Sequence, residues 1–276
     1  MMQAVIPALA LLLAADIGSA ADIGSAPNGI DLGYLQMYDL QFAAAHKTFA
    51  DYAQVYPDDP LAPVSDAAAY LFAEFDRLKI LQSEFFVHDD NFRGQHQKLN
   101  ADPAVRKSFD ADLAKADRLA KDALRAMPRD TNALFASVLV LGLRADFDGL
   151  IDKRDLSALA SVKTSRSIAE RLLTIDPTYY DAHLAVGVEN YMLSLKPAPV
   201  RWFLQLAGAQ TDRELGVERL TLTAEKGRYL KPYARLLLAV DALRRKDTGK
   251  AREILTGLSQ QFPHNRLYVE ELARLQ

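Results

Sequence analysis

Apolar residues in this chain recur four and then three positions apart, and a proline follows five residues later. Ala45, Phe49, Tyr52 and Pro57 set the pattern near the start, and Ala251, Leu255, Leu258 and Pro263 repeat it near the end. Ala116, Ala120, Ala123 and Pro128 keep the same intervals, as do Ser165, Ala169, Leu172 and Pro177. Residues at this spacing share one face of a helix. The small residue lets a paired helix come close, the larger ones fill the space behind it, and the proline stops the helix. A further copy without its proline is placed at 212–226, with Val217, Thr221 and Ala224 at the signature positions and Gly227 ending it.

Periodicity and breakers predict paired helices over about 30–39 with 41–56, 64–86 with 103–127, and 130–145 with 156–175. Two more pairs are predicted over 179–195 with 212–227 and 232–245 with 248–262, followed by a last amphipathic helix over 265–275. No stretch reads as a strand. The expected fold is all-α, with antiparallel helix pairs stacked in a right-handed superhelix of about five pairs plus a C-terminal cap. A closed helical bundle is the alternative. One domain is expected over 27–276, with insertions near 80–105, 146–158 and 196–212.

The best-formed unit opens at Pro232, turns at Arg245–Gly249 and runs to Asn265, a length of 34 residues. Leu238, Ala239 and Ala242 fill its first helix, and in the first unit Leu32, Gly33 and Phe42 take comparable places. This period and small–large order resemble the tetratricopeptide repeat. Several segments, among them Asn190-Tyr191-Met192-Leu193 and Ala224 to Tyr229, are similar to exported bacterial proteins of that class with no assigned function. The resemblance implies a binding scaffold rather than an activity. It does not extend to the repeats that clamp a C-terminal carboxylate with Lys, Arg and Asn, because Leu184, Val188, Leu236 and Val240 occupy the corresponding faces.

Charge changes this picture little. Lys and Arg total 33 against 36 Asp and Glu, giving net charge −3. Without a basic excess or stripe, nucleic-acid binding is not expected. The chain has no cysteine, which excludes disulfides, a thiol nucleophile, thiolate metal sites and a lipid-modified cysteine. Ala4–Ala15 is an uncharged apolar run of signal-peptide length, followed by small residues and a doubled ADIGSA. Residues 1–26 are therefore expected to be a signal peptide and linker, the protein being exported, in keeping with a periplasmic location. The basic start of a typical signal is missing, and a cytoplasmic location follows if the segment is not one. No stable membrane span is expected after its removal.

Chemistry-bearing patterns are sparse, so no catalysis, cofactor or metal is expected. His88, Asp89, Asp90 and His96 form the best metal-like group but lack regular ligand spacing, and read as a solvated insertion. His183 reads as a packed or surface helix residue rather than a ligand, and Glu74 and Asp76, two apart on a helix, as solvated carboxylates. The segment from Lys196 to Leu204 holds the single Trp and reads as a lid, a partner surface or an extra core helix. The leading function is a scaffold for a peptide or partner protein in the bacterial envelope, and the alternative is a small-molecule-binding accessory with a pocket closed by the insertions. If the first helices line the concave face, Phe135, Leu139, Val188, Tyr191 and Tyr233 are the candidate contacts, with Trp202 and Phe203 above them.

Overall fold

A computed structural model describes residues 28–81, 98–194, 202, 205–206 and 208–275. Residues 1–27, with the expected signal, and the His88–His96 group lie outside the described residues. Eleven α-helices and no strand are found among the described residues. They are α1 (Gly29–Tyr38), α2 (Phe42–Val55), α3 (Leu61–Leu78), α4 (Pro103–Ala126), α5 (Thr131–Asp146) and α6 (Asp155–Ile175). After a short 3₁₀ turn come α7 (His183–Ser194), α8 (Arg213–Lys226), α9 (Lys231–Arg244), α10 (Thr248–Gln261) and α11 (Arg266–Arg274). Each helix packs on its sequence neighbour as α1/α2, α3/α4, α5/α6, α7/α8 and α9/α10, with α11 against α10.

The repeating positions do what their spacing requires. Ala45, Phe49, Ala116, Ala120, Ser165, Ala169, Leu172, Ala251, Leu255 and Leu258 are all buried. Pro57, Pro128, Pro177 and Pro263 each stand two residues beyond the end of α2, α4, α6 and α10. Side-chain caps open the helices: the Asn28 and Asp31 capping box starts α1, and Asp102 and Asp130 cap α4 and α5.

On α8 the buried face is Gly216, Leu220 and Thr223, one residue before the expected Val217, Thr221 and Ala224. Contact between backbones fixes this register. A Cβ at Gly216 would lie 2.6 Å from the Tyr191 backbone nitrogen, so the position nearest α7 excludes valine. Glu74 also departs from expectation. It is 1% exposed and accepts from both Nε and Nη2 of Arg77 (3.0 and 2.6 Å), so the carboxylate is a buried, paired strut rather than a solvated one.

Residues 195 to 227 apart in sequence join the two ends of the array. Arg228 donates to both Asp31 oxygens at 2.7 and 2.6 Å. His264 reaches Asp39 through its backbone N–H (2.9 Å) and Nδ1 (2.6 Å), and Asn265 Nδ2 donates to the Tyr38 carbonyl at 2.7 Å. The ring centroids of Tyr34 and Tyr229 are 5.3 Å apart, and those of Tyr38 and Phe262 5.8 Å. The first helix therefore packs against the last units, and the side lined by the first helices becomes enclosed.

Candidate functional site

That arrangement leaves an apolar cavity, open to solvent at its mouth. Tyr34, Met37 and Tyr38 of α1 form one side, with Ala68 and Phe72 of α3 beside them. Val138, Leu139, Gly142, Leu143 and Asp146 of α5 run along the floor, and Leu184, Ala185 and Val188 of α7 face them. Val162 and Ser165 of α6, Asp181, Leu230 and Tyr233 complete the lining. The walls are apolar because this is the inner stripe of every first helix, where the repeat pattern calls for Ala, Leu, Val and aromatics.

Two carboxyls reach the cavity, and their situations differ. Asp181 is an internal brace: its Oδ2 accepts the Arg228 N–H at 2.8 Å, and its Oδ1 those of Tyr229 and Leu230 at 3.1 and 2.8 Å. Burial still pushes its carboxyl above the ordinary value, against the pull of those amides. Asp146 has no such support. Among the described residues no hydrogen bond or ion pair reaches it, and burial alone pushes its carboxyl up to about 7. The helix widens into a π turn, Phe147–Ile151, directly after it. Such turns are frequent at functional sites because they re-aim the side chains around them.

Tyr233 stands next to this carboxyl. Burial raises its hydroxyl well above the usual value and the Asp146 charge raises it further. Phe72 lies between Tyr233 and Tyr38, with centroid distances of 5.6 Å on both sides and interplanar angles of 74° and 88°. Among the described residues, a carboxyl without a counterion thus lies by Tyr233, the end of a row of three rings each tilted against the next.

Gly142 is unusual among the helical glycines. A Cβ at Gly33 would meet the Phe49 ring at 2.1 Å, and one at Gly187 would meet Leu220 at 3.0 Å, so those glycines serve helix contact. A Cβ at Gly142 would meet nothing within 4 Å. Glycine inside a helix costs about 0.5–1 kcal/mol relative to alanine, and here no neighbour requires it. The space it leaves belongs to the cavity.

The expected contacts divide. Leu139, Val188 and Tyr233 line the cavity. Phe135 and Tyr191 do not: both are fully buried behind the wall. Phe135 stacks between Tyr179 and Tyr229 at 4.9 and 6.1 Å. Tyr191 packs over Gly216, and burial pushes its hydroxyl up to about 12. Trp202 is 65% exposed, outside the core and outside the cavity lining; Phe203 lies outside the described residues. His183 is buried near Arg219, and burial and that neighbouring charge lower its pKa. Asp146, Asp181, Tyr38, Phe72 and Gly142 are among the cavity residues that sequence reasoning did not single out.

A second polar cluster lies on α2, α3 and α4. His46 Nδ1 is 2.5 Å from Asp66 Oδ1, and Asp112 is pushed up to about 7 by burial and by the adjacent Asp66. Asp66 on α3 thus contacts groups on both α2 and α4 and joins the three helices. Among the described residues no group of three or more His, Cys, Asp or Glu side chains is arranged to hold a metal ion, and no helix is long and apolar enough to cross a membrane. No model of a known family matches the chain, and a search of curated proteins finds no significant match.

Proposed function

We propose that this protein is a helical-repeat binding protein that holds a small, largely apolar molecule in the cavity enclosed by its first helices. The observation carrying this reading is the cavity itself: apolar on nearly every side, and bordered by a helix glycine that no packing contact requires. Small-molecule sites are mostly apolar with a few placed polar groups, and this lining has that character. The contacts between α1 and residues 228–268 favour this reading over an open groove for a peptide. The kinship with tetratricopeptide repeats belongs to the same proposal and rests on the shared spacing and period.

Filling the cavity from Gly142 tests the reading. The uncharged fluorophore N-phenyl-1-naphthylamine should brighten on binding the native protein, and Gly142→Phe should abolish that enhancement. Gly142→Ala should keep binding and raise stability by about 0.5–1 kcal/mol in urea denaturation. A native protein that does not bind the dye, or a Gly142→Phe variant that binds it equally well, would overturn the assignment.

A protein partner is a second reading, with one observation in its favour. Trp202 and Leu206, four residues apart, are 65% and 67% exposed and make an apolar pair on the outer surface. Crosslinking in the native cell with Trp202→Ala as the control decides it. A captured protein must be lost in the variant, and equal capture by both forms rejects the surface.

A further inference from the structure

The polar end of the cavity deepens the proposed function, on which this inference rests, by indicating what chemistry the ligand carries. We propose that the ligand is an organic ammonium ion with an apolar body, its charged nitrogen held by Asp146 beside Tyr233, Phe72 and Tyr38.

Charge complementarity is the first support. Among the described residues no lysine, arginine or histidine lines the cavity, and none of them neutralises Asp146. A half-buried carboxylate left unpaired is unfavourable, and a ligand cation supplies the missing partner. Asp181, the other acid in the wall, already accepts three backbone amides and offers little further capacity. A carboxylate ligand would face two acids and no cation.

The aromatic wall is an independent support. Tyr233, Phe72 and Tyr38 follow one another at 5.6 Å, close to perpendicular. Ring faces attract ammonium groups, and boxes of aromatic residues recognise substituted ammonium ions. The remaining lining, from Met37 through Leu139 and Val188 to Leu230, suits a hydrocarbon chain or ring. The ligand therefore lies with its charged end by the π turn and its apolar part along α5 and α7.

The pH dependence of binding has a definite sign. An ammonium ion requires ionised Asp146, so its affinity rises with pH through the range in which Asp146 loses its proton. A neutral hydrogen-bond acceptor would instead favour protonated Asp146 and bind more tightly at low pH. The other titratable groups of the cavity are Tyr34, Tyr38 and Tyr233, all raised and neutral in this range, and Asp181. Asp148, on the adjoining π turn, is held by Ser157 and Arg154.

Calorimetric titration with n-octylammonium and the neutral 1-octanol, at pH 6 and 8.5, tests the proposal on the full chain and on Asp146→Asn. At pH 8.5 the native protein should bind the ammonium ion at least about tenfold more tightly than the alcohol. That advantage should shrink about tenfold at pH 6, where most Asp146 is protonated. Asp146→Asn should remove the preference and its pH dependence while leaving alcohol binding within about twofold. Equal binding of alcohol and ammonium ion by the native protein overturns the ammonium assignment but keeps the cavity as a site. A native preference that survives in Asp146→Asn also overturns it, and failure to bind either probe overturns the cavity reading with it. A native pH profile that is flat or inverted refutes the proposal even if the variant fails to fold.

Discussion

Asp181→Ala is expected to destabilise the protein by about 3–5 kcal/mol, because it strands three buried or part-buried backbone donors at once. Asp181 is 4% exposed and its two oxygens receive the N–H groups of Arg228, Tyr229 and Leu230. Those three residues form the bend between α8 and α9, and they also carry the ring closure. Arg228 holds Asp31, and Tyr229 packs on Tyr34 and Phe135. One carboxylate thus shapes the bend that docks on the first helix. Urea denaturation of the purified variants measures the cost. Asp181→Asn should fall between, since one amide oxygen can accept from Tyr229 and Leu230 while its NH2 faces the Arg228 donor. A loss below about 1 kcal/mol in Asp181→Ala would mean that water replaces the carboxylate without disturbing the bend.

None of this clasp is legible in the sequence, although the helices it joins are. Helix pairs announce themselves through local spacing: a small residue, two larger ones and a proline fix a face and an end within thirteen positions, as Ala45 to Pro57 shows. Each predicted helix with described residues is present to within a few positions, except that the one expected over 64–86 ends at Leu78, where Lys79 takes the left-handed conformation. The closure depends instead on pairs such as Asp39 with His264 and Asp31 with Arg228. Each is a common surface pair in its own neighbourhood, and neither carries a signal of the other. The register of α8 was missed for a related reason. Gly216 and Val217 both suit a small or apolar slot locally, and only the approach of the Tyr191 backbone decides between them.

The site was partly visible. First helices were expected to line the enclosed face, and Leu139, Val188 and Tyr233 do. Phe135 and Tyr191 were also expected there because large aromatics on a first helix suggest contact. Each first helix, however, also buries a flank against its neighbours, and the largest rings went into that layer. Asp146 looked like an ordinary helix-end acid following Arg144. Its importance comes from what is not near it, which a sequence does not express. Gly142 is similar, since a helix glycine gains meaning only when the space around its missing side chain is known.

Asp146 should also make stability fall with rising pH in the absence of ligand. In the folded protein its carboxyl is raised from 3.8 to about 7. Between those values the folded state keeps a proton that the unfolded chain has released. The penalty is therefore absent below about pH 4, grows as pH rises, and is complete above the folded value. Three pH units correspond to about 4 kcal/mol, and contact of the side chain with cavity water reduces the expectation to about 2–4 kcal/mol. Asp146→Asn removes the titrating group at nearly constant shape. In ligand-free urea denaturation the variant and native protein should match near pH 3.5, and the variant should be more stable by about 2–4 kcal/mol at pH 8.5. Parallel curves for the two proteins would show that the carboxyl is already hydrated or paired, and would weaken the ammonium assignment with it. The expected divergence would place two costs on one wall of α5: an unpaired acid and, one helical turn earlier, a glycine that packing does not need. Local choices that work against the fold concentrate where a site is built, and a ligand cation lodged in the space beside Gly142 would offset the first of them.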